Sequence, residues 1–239
     1  MLQIKKFNGS AKEIIALADI YMRSYNKLSE NYKSKEEMAL YTKGSFIKKL
    51  KTWSNNQQQG KEPFIYVLYN GENPCGIMRF NEIPASYRQM DDNLISQEKE
   101  RGQLDGWEIL RNRKIQYHKD PQYASNTLIL NQIYLAPEAQ KKGWGTYFIK
   151  NVIPQLQQAG YEEFIVEYND NNANGKKFHQ NVLCAKEIAH TTDFDHIINK
   201  DANSQFCLSP VTIGKSNFSS VLENISRKEK FFEQAKGRQ

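Results

Sequence analysis

The sequence predicts an α/β fold, α+β in arrangement, with a mixed central β-sheet flanked by helices. Segments with the two-residue period of strands alternate along the chain with segments of helical period. The apolar segment Leu128–Leu135 is followed at once by a basic, glycine-containing loop and then by a helical pattern. The chain has 239 residues, 39% of them hydrophobic, which is enough for one sizeable core. We therefore expect one domain with additions.

The amino-terminal third is predicted to hold a strand, two helices and a β-hairpin. The hairpin is indicated by Asn70-Gly71, a dipeptide typical of tight turns, between two apolar runs. Ser10 is a good helix cap because its hydroxyl can accept a hydrogen bond from the first turn. The predicted elements are strand Leu2–Phe7, a helix capped by Ser10, a helix over about Lys35–Trp53, and strands Pro63–Tyr69 and Cys75–Phe80.

The carboxy-terminal half is predicted to continue as strand, helix, strand, helix and a final hairpin. Phe148, Val152 and Leu156 share one face of the first of these helices. Asn172 is placed to cap the second, a short polar helix. The predicted elements are strand Leu128–Leu135, a helix after Gly145, strand Glu163–Tyr168, a helix over Ala173–His179, and paired strands around 187–191 and 205–211.

Two regions extend this core. We assign residues 1–213 to the domain, with an insertion over 84–126 between the third and fourth strands. Its stretch 95–110 can be helical, and it serves either as a lid over an acceptor pocket or as a surface decoration or dimer contact. Residues 214–239 form a carboxy-terminal helical extension whose apolar stripe docks on the sheet or on a second subunit, which leaves a homodimer open.

The loop Gln140–Gly145 carries the clearest functional signal. The first turn of a helix has N–H groups without internal partners, and the helix dipole adds partial positive charge there. Glycines at 143 and 145 let the backbone approach an anion closely. A strand, a basic glycine loop and a helix in this order are typical of a diphosphate site.

These residues resemble the GNAT superfamily of N-acetyltransferases. The family's acetyl-CoA loop reads Gln/Arg-x-x-Gly-x-Gly/Ala, and Gln140, Gly143 and Gly145 match it in register. A second block, Asn-x-x-Ala-x-x-Phe-Tyr in the family, is matched by Asn172 and Phe178, with Gly175 in place of Ala. The resemblance implies the GNAT acyltransferase fold and acetyl-CoA as the co-substrate.

The resemblance also implies roles for individual residues. The backbone N–H of Leu135 would stabilise the oxyanion, and His179, which stands where the family has a tyrosine, would act as general acid. The general base is not visible, since the fourth strand has no carboxylate; Glu82, Glu108, Glu167 and water relays stay open. The cofactor-binding residues it implies are Ile133, Leu135, Gln140, Lys141, Lys142, Gly143, Trp144, Gly145, Thr146 and Asn172.

Composition argues against several other classes. A net charge of +6, spread along the chain, is too diffuse for a nucleic-acid interface. No apolar run approaches the roughly 20 residues that span a bilayer, and the amino terminus lacks an apolar signal core. We therefore expect a cytoplasmic protein, with export by a route without such a signal left open. The segment His190–His196 holds two histidines and two aspartates, but on a strand they point to different faces. We therefore predict no metal.

Two functions remain in view. The first is an N-acetyltransferase that moves an acetyl group from acetyl-CoA to an amine of a small molecule or a protein. The second is a catalytically degenerate GNAT-fold protein that binds CoA or a protein partner in a regulatory role. The glycine loop and Asn172 favour the first, and the missing tyrosine and strand carboxylate favour the second.

Overall fold

The fold is built on one seven-stranded sheet, which matches the predicted mixed architecture. The computed structural model describes residues 1–29, 42–61, 64–82, 126–170, 172–197 and 206–236. The strand order is β1-β2-β3-β4-β5-β7-β6, and every neighbouring pair is antiparallel except β4–β5, which is parallel. The strands are β1 Leu2–Lys6, β2 Phe64–Asn70, β3 Asn73–Glu82, β4 Thr127–Leu135, β5 Glu163–Asn169, β6 Lys186–Ile197 and β7 Phe206–Asn217.

The described residues form five α-helices and a short 3-10 turn that flank this sheet. They are α1 Ala11–Ser29, α2 Lys43–Gln58, α3 Trp144–Gln158, α4 Ala173–Asn181 and α5 Phe218–Lys236, with the 3-10 turn at Pro137–Ala139. The predicted insertion, residues 84–126, lies outside the described residues apart from Asn126. None of the described helices is long and apolar enough to cross a membrane.

Helix α1 begins where Ser10 and Glu13 cap it. The Ser10 hydroxyl accepts a hydrogen bond from the Glu13 backbone N–H at 3.3 Å. The Glu13 carboxylate in turn accepts the N–H groups of Asn8 and Gly9 at 2.9 and 3.0 Å. Glu13 is buried, and its second oxygen accepts the Tyr69 hydroxyl at 2.5 Å, so both carboxylate oxygens have partners. The cap thereby ties the start of α1 to strand β2.

The second helix differs from its predicted bounds. It was expected over about Lys35–Trp53, but it begins at Lys43 and ends at Gln58. Thr42 has extended backbone angles (φ −103°, ψ 154°) and accepts the Ser45 N–H at 3.1 Å, which makes it the N-cap. A continuous helix through Thr42 is therefore wrong, because a capping residue leaves the helical conformation. Residues 35–41 lie outside the described residues.

The two faces of the sheet are covered by different helices. Helix α1 packs on β3 and β4 with α2 against it, and we call this the α1 face. Helices α3, α4 and α5 lie on the opposite side, the α4 face, where Phe218 of α5 stacks on Phe164 of β5. Side chains alternate along a strand, so a residue's position in β3, β4 or β5 decides which face it serves.

The carboxy-terminal helix is part of the core. Strand β7 runs to Asn217, whose side chain caps the helix by accepting the Ser219 N–H at 3.0 Å. The helical extension therefore starts at Phe218, four residues after the predicted boundary. Phe218, Val221 and Ile225 are fully or almost fully buried in the same cluster as the sheet residues. The final hairpin is also longer than predicted, since β6 and β7 each have 12 residues.

Candidate active site

Strands β4 and β5 separate part of the way along. Their parallel pairing runs from Thr127 opposite Glu163 to Leu130 opposite Val166, and it stops there. Strand β4 continues to Leu135 along β3, whereas β5 continues along β7. An opening therefore lies beside the carboxy-terminal half of β4, where the backbone of β4 has lost its neighbour on one side.

A β-bulge sets the direction of the side chains that border this opening. Arg79 pairs with Gln132 and Phe80 with Leu130, so Asn131 is an extra residue in β4. The extra residue reverses the alternation, because the side-chain period of a strand is two. After the bulge, Ile133 and Leu135 point to the α4 face.

The backbone of β4 supplies donors to the opening. The Ala136 N–H donates to the Cys75 carbonyl across the β3 ladder at 2.8 Å. Alternation then directs the N–H groups of Ile133 and Leu135 away from β3 and toward the gap. The Leu135 carbonyl, which points the same way, accepts the Ser24 hydroxyl at 2.6 Å and the Gln140 side-chain amide at 3.1 Å. These two bonds hold the end of β4 and the loop after it in place.

The loop after β4 ends at a glycine that starts helix α3. Gly143 is the N-cap, with φ +76°, and a glycine has no side chain that could cap the first turn. The first-turn N–H groups of α3 are therefore available to an anion. Gly145 permits a close approach: a Cβ there would lie 3.1 Å from the Phe178 ring and 3.4 Å from Leu135. A glycine at this position thus lets helices α3 and α4 pack closely, because a larger residue would require the Phe178 ring to shift.

Helix α4 starts at the other side of the opening. The Asn172 side chain accepts the Gly175 N–H at 2.9 Å, so Asn172 is the predicted N-cap. The bond fixes the first turn of α4 at the end of β5, beside the loop that precedes α3, which we call the α3 loop. Phe178 and His179 follow on this helix and face the same space.

These elements enclose a cavity of about 340 Å³. Of the predicted site residues, those that line it are Ile133, Leu135, Gln140, Lys141, Gly143, Gly145, Thr146, Asn172 and His179, together with Asn174, Gly175 and Phe178. Lys142 and Trp144 lie beside the cavity without lining it, and the Lys142 ammonium is 5.7 Å from the Trp144 ring centroid. Asn174 was missed, because a polar residue in the first turn of a polar helix carries no distinctive pattern.

His179 is a buried, neutral histidine. Only 8% of its surface is exposed, and its ring stacks on Tyr168 with centroids 5.0 Å apart and planes at 11°. Burial lowers the pKa of His179 from 6.5 to about 4, because desolvation penalises the charged ring. Its buried Nδ1 atom finds no hydrogen-bond partner among the described residues. The cationic form is therefore not the resting form at neutral pH, and any proton donation starts from the neutral ring.

The three carboxylates considered as a general base lie in different places. Glu82 pairs opposite Leu128, at the far end of β4 from Leu135, and seven residues of strand span more than about 20 Å. Its carboxylate accepts the hydroxyl of Tyr161, and burial together with this bond raises the pKa of that phenol. Glu82 is therefore too far from Leu135 for this role. Glu108 lies outside the described residues.

Glu167 lies beside the opening. It follows Val166, the last residue of β5 that pairs with β4. Phe164 and Tyr168 contact Phe218 and His179 on the α4 face, so alternation directs Glu167 to the α1 face. Glu167 and the cavity thus lie on opposite sides of the same opening.

Aromatic and cationic side chains surround the α1 face of the opening. The Tyr134 and Tyr21 hydroxyls are hydrogen-bonded at 3.1 Å, and Arg79 stacks 4.6 Å above the Trp53 ring. The Arg79 guanidinium also donates to the Gln132 side chain at 3.0 Å. The α1 side of the opening is therefore bordered by aromatic and polar side chains.

The segment His190–His196 is the candidate metal-ligand set for which the sequence predicts no metal. His190 lies on β6, and its Nδ1 atom is 3.1 Å from the hydroxyl of Thr212 on β7. Among the described residues, no group of three or more His, Cys, Asp or Glu side chains is arranged to hold a metal ion.

Solved structures share this fold over nearly the whole chain. PaiA N-acetyltransferase from Thermoplasma acidophilum, in complex with coenzyme A, is 12% identical with a TM-score of 0.58, covering 91% of this chain and 99% of that one. Drosophila melanogaster polyamine N-acetyltransferase, which forms N-acetylagmatine, is 11% identical with a TM-score of 0.57, covering 91% and 100%. YncA from Salmonella typhimurium, with its cofactor acetyl-CoA, is 13% identical with a TM-score of 0.51, covering 91% and 94%. At these identities the likeness shows the fold.

Two comparisons used the sequence alone. The comparison with curated protein sequences finds no match, whereas the comparison with family models does. The model of the acetyltransferase (GNAT) family matches residues 16–183, which is well over half of the chain and includes the opening, the α3 loop and helix α4. The chain therefore belongs to the acetyltransferase (GNAT) family.

Proposed function

We propose that the protein is an N-acetyltransferase that transfers an acetyl group from acetyl-CoA to an amine of a small molecule or a protein. The observation that carries this proposal is the convergence of two donor sets on one cavity. The first is the uncapped start of α3, and the second is the N–H edge of β4 at Ile133 and Leu135. The N–H groups at the start of α3 suit a diphosphate, and the N–H edge of β4 suits an extended arm that contains amides.

The residues present fit CoA. The free N–H groups at the start of α3 and the lysine Lys141, which lines the cavity, favour the diphosphate. The N–H groups of Ile133 and Leu135 can pair with the pantetheine amides as a neighbouring strand would. Relatives of the same fold have been solved with CoA or acetyl-CoA, which supports this choice.

Acetyl-CoA would supply an activated acetyl thioester at the inner end of the cavity. There the Leu135 N–H can donate a hydrogen bond to the thioester oxygen, where negative charge develops during attack by an amine. The Leu135 carbonyl is held by Ser24 and Gln140, so this donor is fixed in advance. A fixed donor costs little reorganisation during the reaction.

Two residues on opposite sides of the opening, Glu167 and His179, can serve in proton transfer. Glu167, on the α1 face, can accept the proton of the attacking amine, since the acceptor must approach from the side that CoA leaves free. His179, on the α4 face, can donate a hydrogen bond from its neutral ring to the departing sulfur. The aromatic and polar α1 face around Tyr134 and Arg79 would form a wall of the acceptor site.

A regulatory CoA-binding protein without turnover is the second candidate. It is favoured by the depressed pKa of His179, which leaves less than about one ring in a hundred protonated at neutral pH. The two candidates make different predictions for CoA release. The enzyme releases CoA in the presence of an accepted amine, whereas the regulator binds acetyl-CoA without consuming it.

The cofactor loop is tested by Gly143→Asp. Both Gly143 and Gly160 have positive φ (+76° and +92°), and a Cβ at either meets nothing within 4 Å. Aspartate is tolerated in this backbone region better than most residues, so both variants should fold. Gly143→Asp places a negative charge at the diphosphate position and should weaken acetyl-CoA binding at least about tenfold, equivalent to about 1.4 kcal/mol.

Gly160→Asp is the matched control, because it lies just beyond the far end of the same helix. It should bind acetyl-CoA as the wild type does in calorimetric titration. Equal affinities for the wild type and Gly143→Asp would place the diphosphate elsewhere and contradict the proposed function.

A further inference from the structure

A second groove begins where the first cavity ends. It has a volume of about 460 Å³, within the range of about 300–1,000 Å³ typical of small-molecule sites. Gly143 and Thr146 line both spaces, so the two are continuous at the start of α3. The groove runs between α3 and the carboxy-terminal helix α5.

One wall of this groove comes from α5, which lies beyond the residues that match the family model. The α5 residues that line the groove are Asn224, Ile225, Lys228, Glu229 and Phe232. The opposite wall comes from the start and first half of α3 and from the end of α4: Gly143, Thr146, Tyr147, Lys150, Asn151 and Val182. The α5 wall therefore lies outside the part of the chain that the family model covers.

The wall is held by polar contacts at the base of the groove. Asn224 and Lys228 both donate to the Asn181 carbonyl at the end of α4, at 2.9 and 2.5 Å. The Lys150 ammonium pairs with the Glu229 carboxylate at 2.7 Å and so joins α3 to α5. This exposed ion pair adds little stability, but it shows that α3 and α5 approach each other beside the groove.

The chemistry of the groove suits a nucleotide. Ile225 forms an apolar floor, since it is 1% exposed, and Phe232 is 63% exposed at the rim. Two lysines and one glutamate give the groove a net positive charge, and Lys141 and Lys142 lie just outside it. An exposed aromatic ring offers a stacking surface to a base, and a net positive groove favours a phosphate.

We infer that this groove binds the nucleotide end of CoA, the adenosine 3′-phosphate, with the base stacked on Phe232 and the phosphate near Lys228. The inference rests on the proposed function, because it takes the diphosphate to lie at Gly143. From that point the pantetheine arm leads into the first cavity, and the adenosine leads into the groove. The carboxy-terminal helix thus completes the cofactor site.

The stacking contact is tested by Phe232→Ala, with Phe231→Ala as the control. The two rings are similarly exposed, at 63% and 67%, but only Phe232 lines the groove. Stacking of a base on an aromatic side chain is worth about 1–3 kcal/mol, so Phe232→Ala should weaken CoA binding at least about fivefold. Phe231→Ala should bind CoA as the wild type does, and neither variant should change the affinity for 4′-phosphopantetheine.

The outcomes separate the inference from the proposed function. Unchanged CoA affinity in Phe232→Ala, or an equal loss for CoA and 4′-phosphopantetheine, would overturn the inference while the proposed function stands. Wild-type protein that binds neither ligand would overturn the proposed function itself. A change in oligomeric state on Phe232→Ala, measured by sedimentation and absent in Phe231→Ala, would instead assign the ring to a contact between copies of the chain.

The phosphate contact has its own test. Lys228→Gln should weaken the binding of CoA more than that of 3′-dephospho-CoA, whereas Lys230→Gln, which lies outside the groove lining, should affect neither. An equal loss for both ligands would assign Lys228 to its bond with Asn181 and overturn the phosphate contact.

Discussion

The burial of His179 predicts a specific dependence of stability on pH. Its pKa is lowered from 6.5 to about 4 in the folded protein by desolvation. The unfolded chain therefore binds a proton at this ring below pH 6.5, and the folded chain does so only near pH 4. Because the unfolded state binds more protons in this window, the free energy of unfolding falls as the pH falls through it.

The magnitude follows from the two pKa values. Each unit of pKa difference corresponds to about 1.4 kcal/mol, so the full effect is about 3 kcal/mol. Between pH 7.5 and pH 4.5, most of this range is crossed, and His179 should cost the folded state about 2.5 kcal/mol. The Asp170 carboxyl, whose pKa is lowered by its bonds to Thr212 and Lys176 against the opposing effect of burial, also titrates at low pH. That contribution is shared by the wild type and the variant.

The assay is urea denaturation of the wild type and of His179→Gln at pH 7.5 and 4.5. Glutamine does not titrate, so His179→Gln should lose about 2.5 kcal/mol less than the wild type between these pH values. A difference below about 1 kcal/mol between the wild type and His179→Gln would refute the reasoning, as would an NMR titration that places the His179 pKa near 6.5.

Two further predictions concern activity. His179→Ala should lower kcat by about 10²-fold, within the usual range for proton-transfer groups, with acetyl-CoA affinity little changed; steady-state CoA release measures the first and calorimetry the second, and near-normal turnover would assign His179 to structure. Replacing residues 86–125 by a short Gly/Ser linker should leave acetyl-CoA binding intact and change amine use in a substrate panel. Glu82 lies opposite Leu128 in the β3–β4 ladder, so a tight connection can close the hairpin. Loss of the folded state on this replacement would show that the segment belongs to the core.

Local chemistry explains what could be predicted from the sequence. Ser10 and Asn172 each accept a first-turn N–H group, and each is predicted to cap a helix. The order of strands and helices, and the site of a glycine loop between β4 and α3, also follow from short-range patterns. Such features are visible because the residues that cause them are within a few positions of each other.

The start of α2 is an element boundary that helical periodicity predicts incorrectly. Helical periodicity suggested one helix from about Lys35, yet Thr42 caps the helix and Ser45 bonds back to it. Thr42 and Ser45 are recognisable in the sequence as a possible capping pair. Apolar spacing alone does not mark where a helix begins, so the pair is a better guide to the start of α2 than the periodicity.

The sequence by itself determined the order of the elements, the place of the glycine loop between β4 and α3, and the family. Only the tertiary structure decided which way the site residues point. The extra residue Asn131 can be recognised only through the pairing of β4 with β3, and that bulge turns Ile133 and Leu135 toward α4. The neutral state of His179 depends on its burial against Tyr168, and the groove beside Phe232 depends on where α5 docks on α3. These are long-range contacts, and a residue's direction, burial and pKa are set by neighbours that are distant in the sequence.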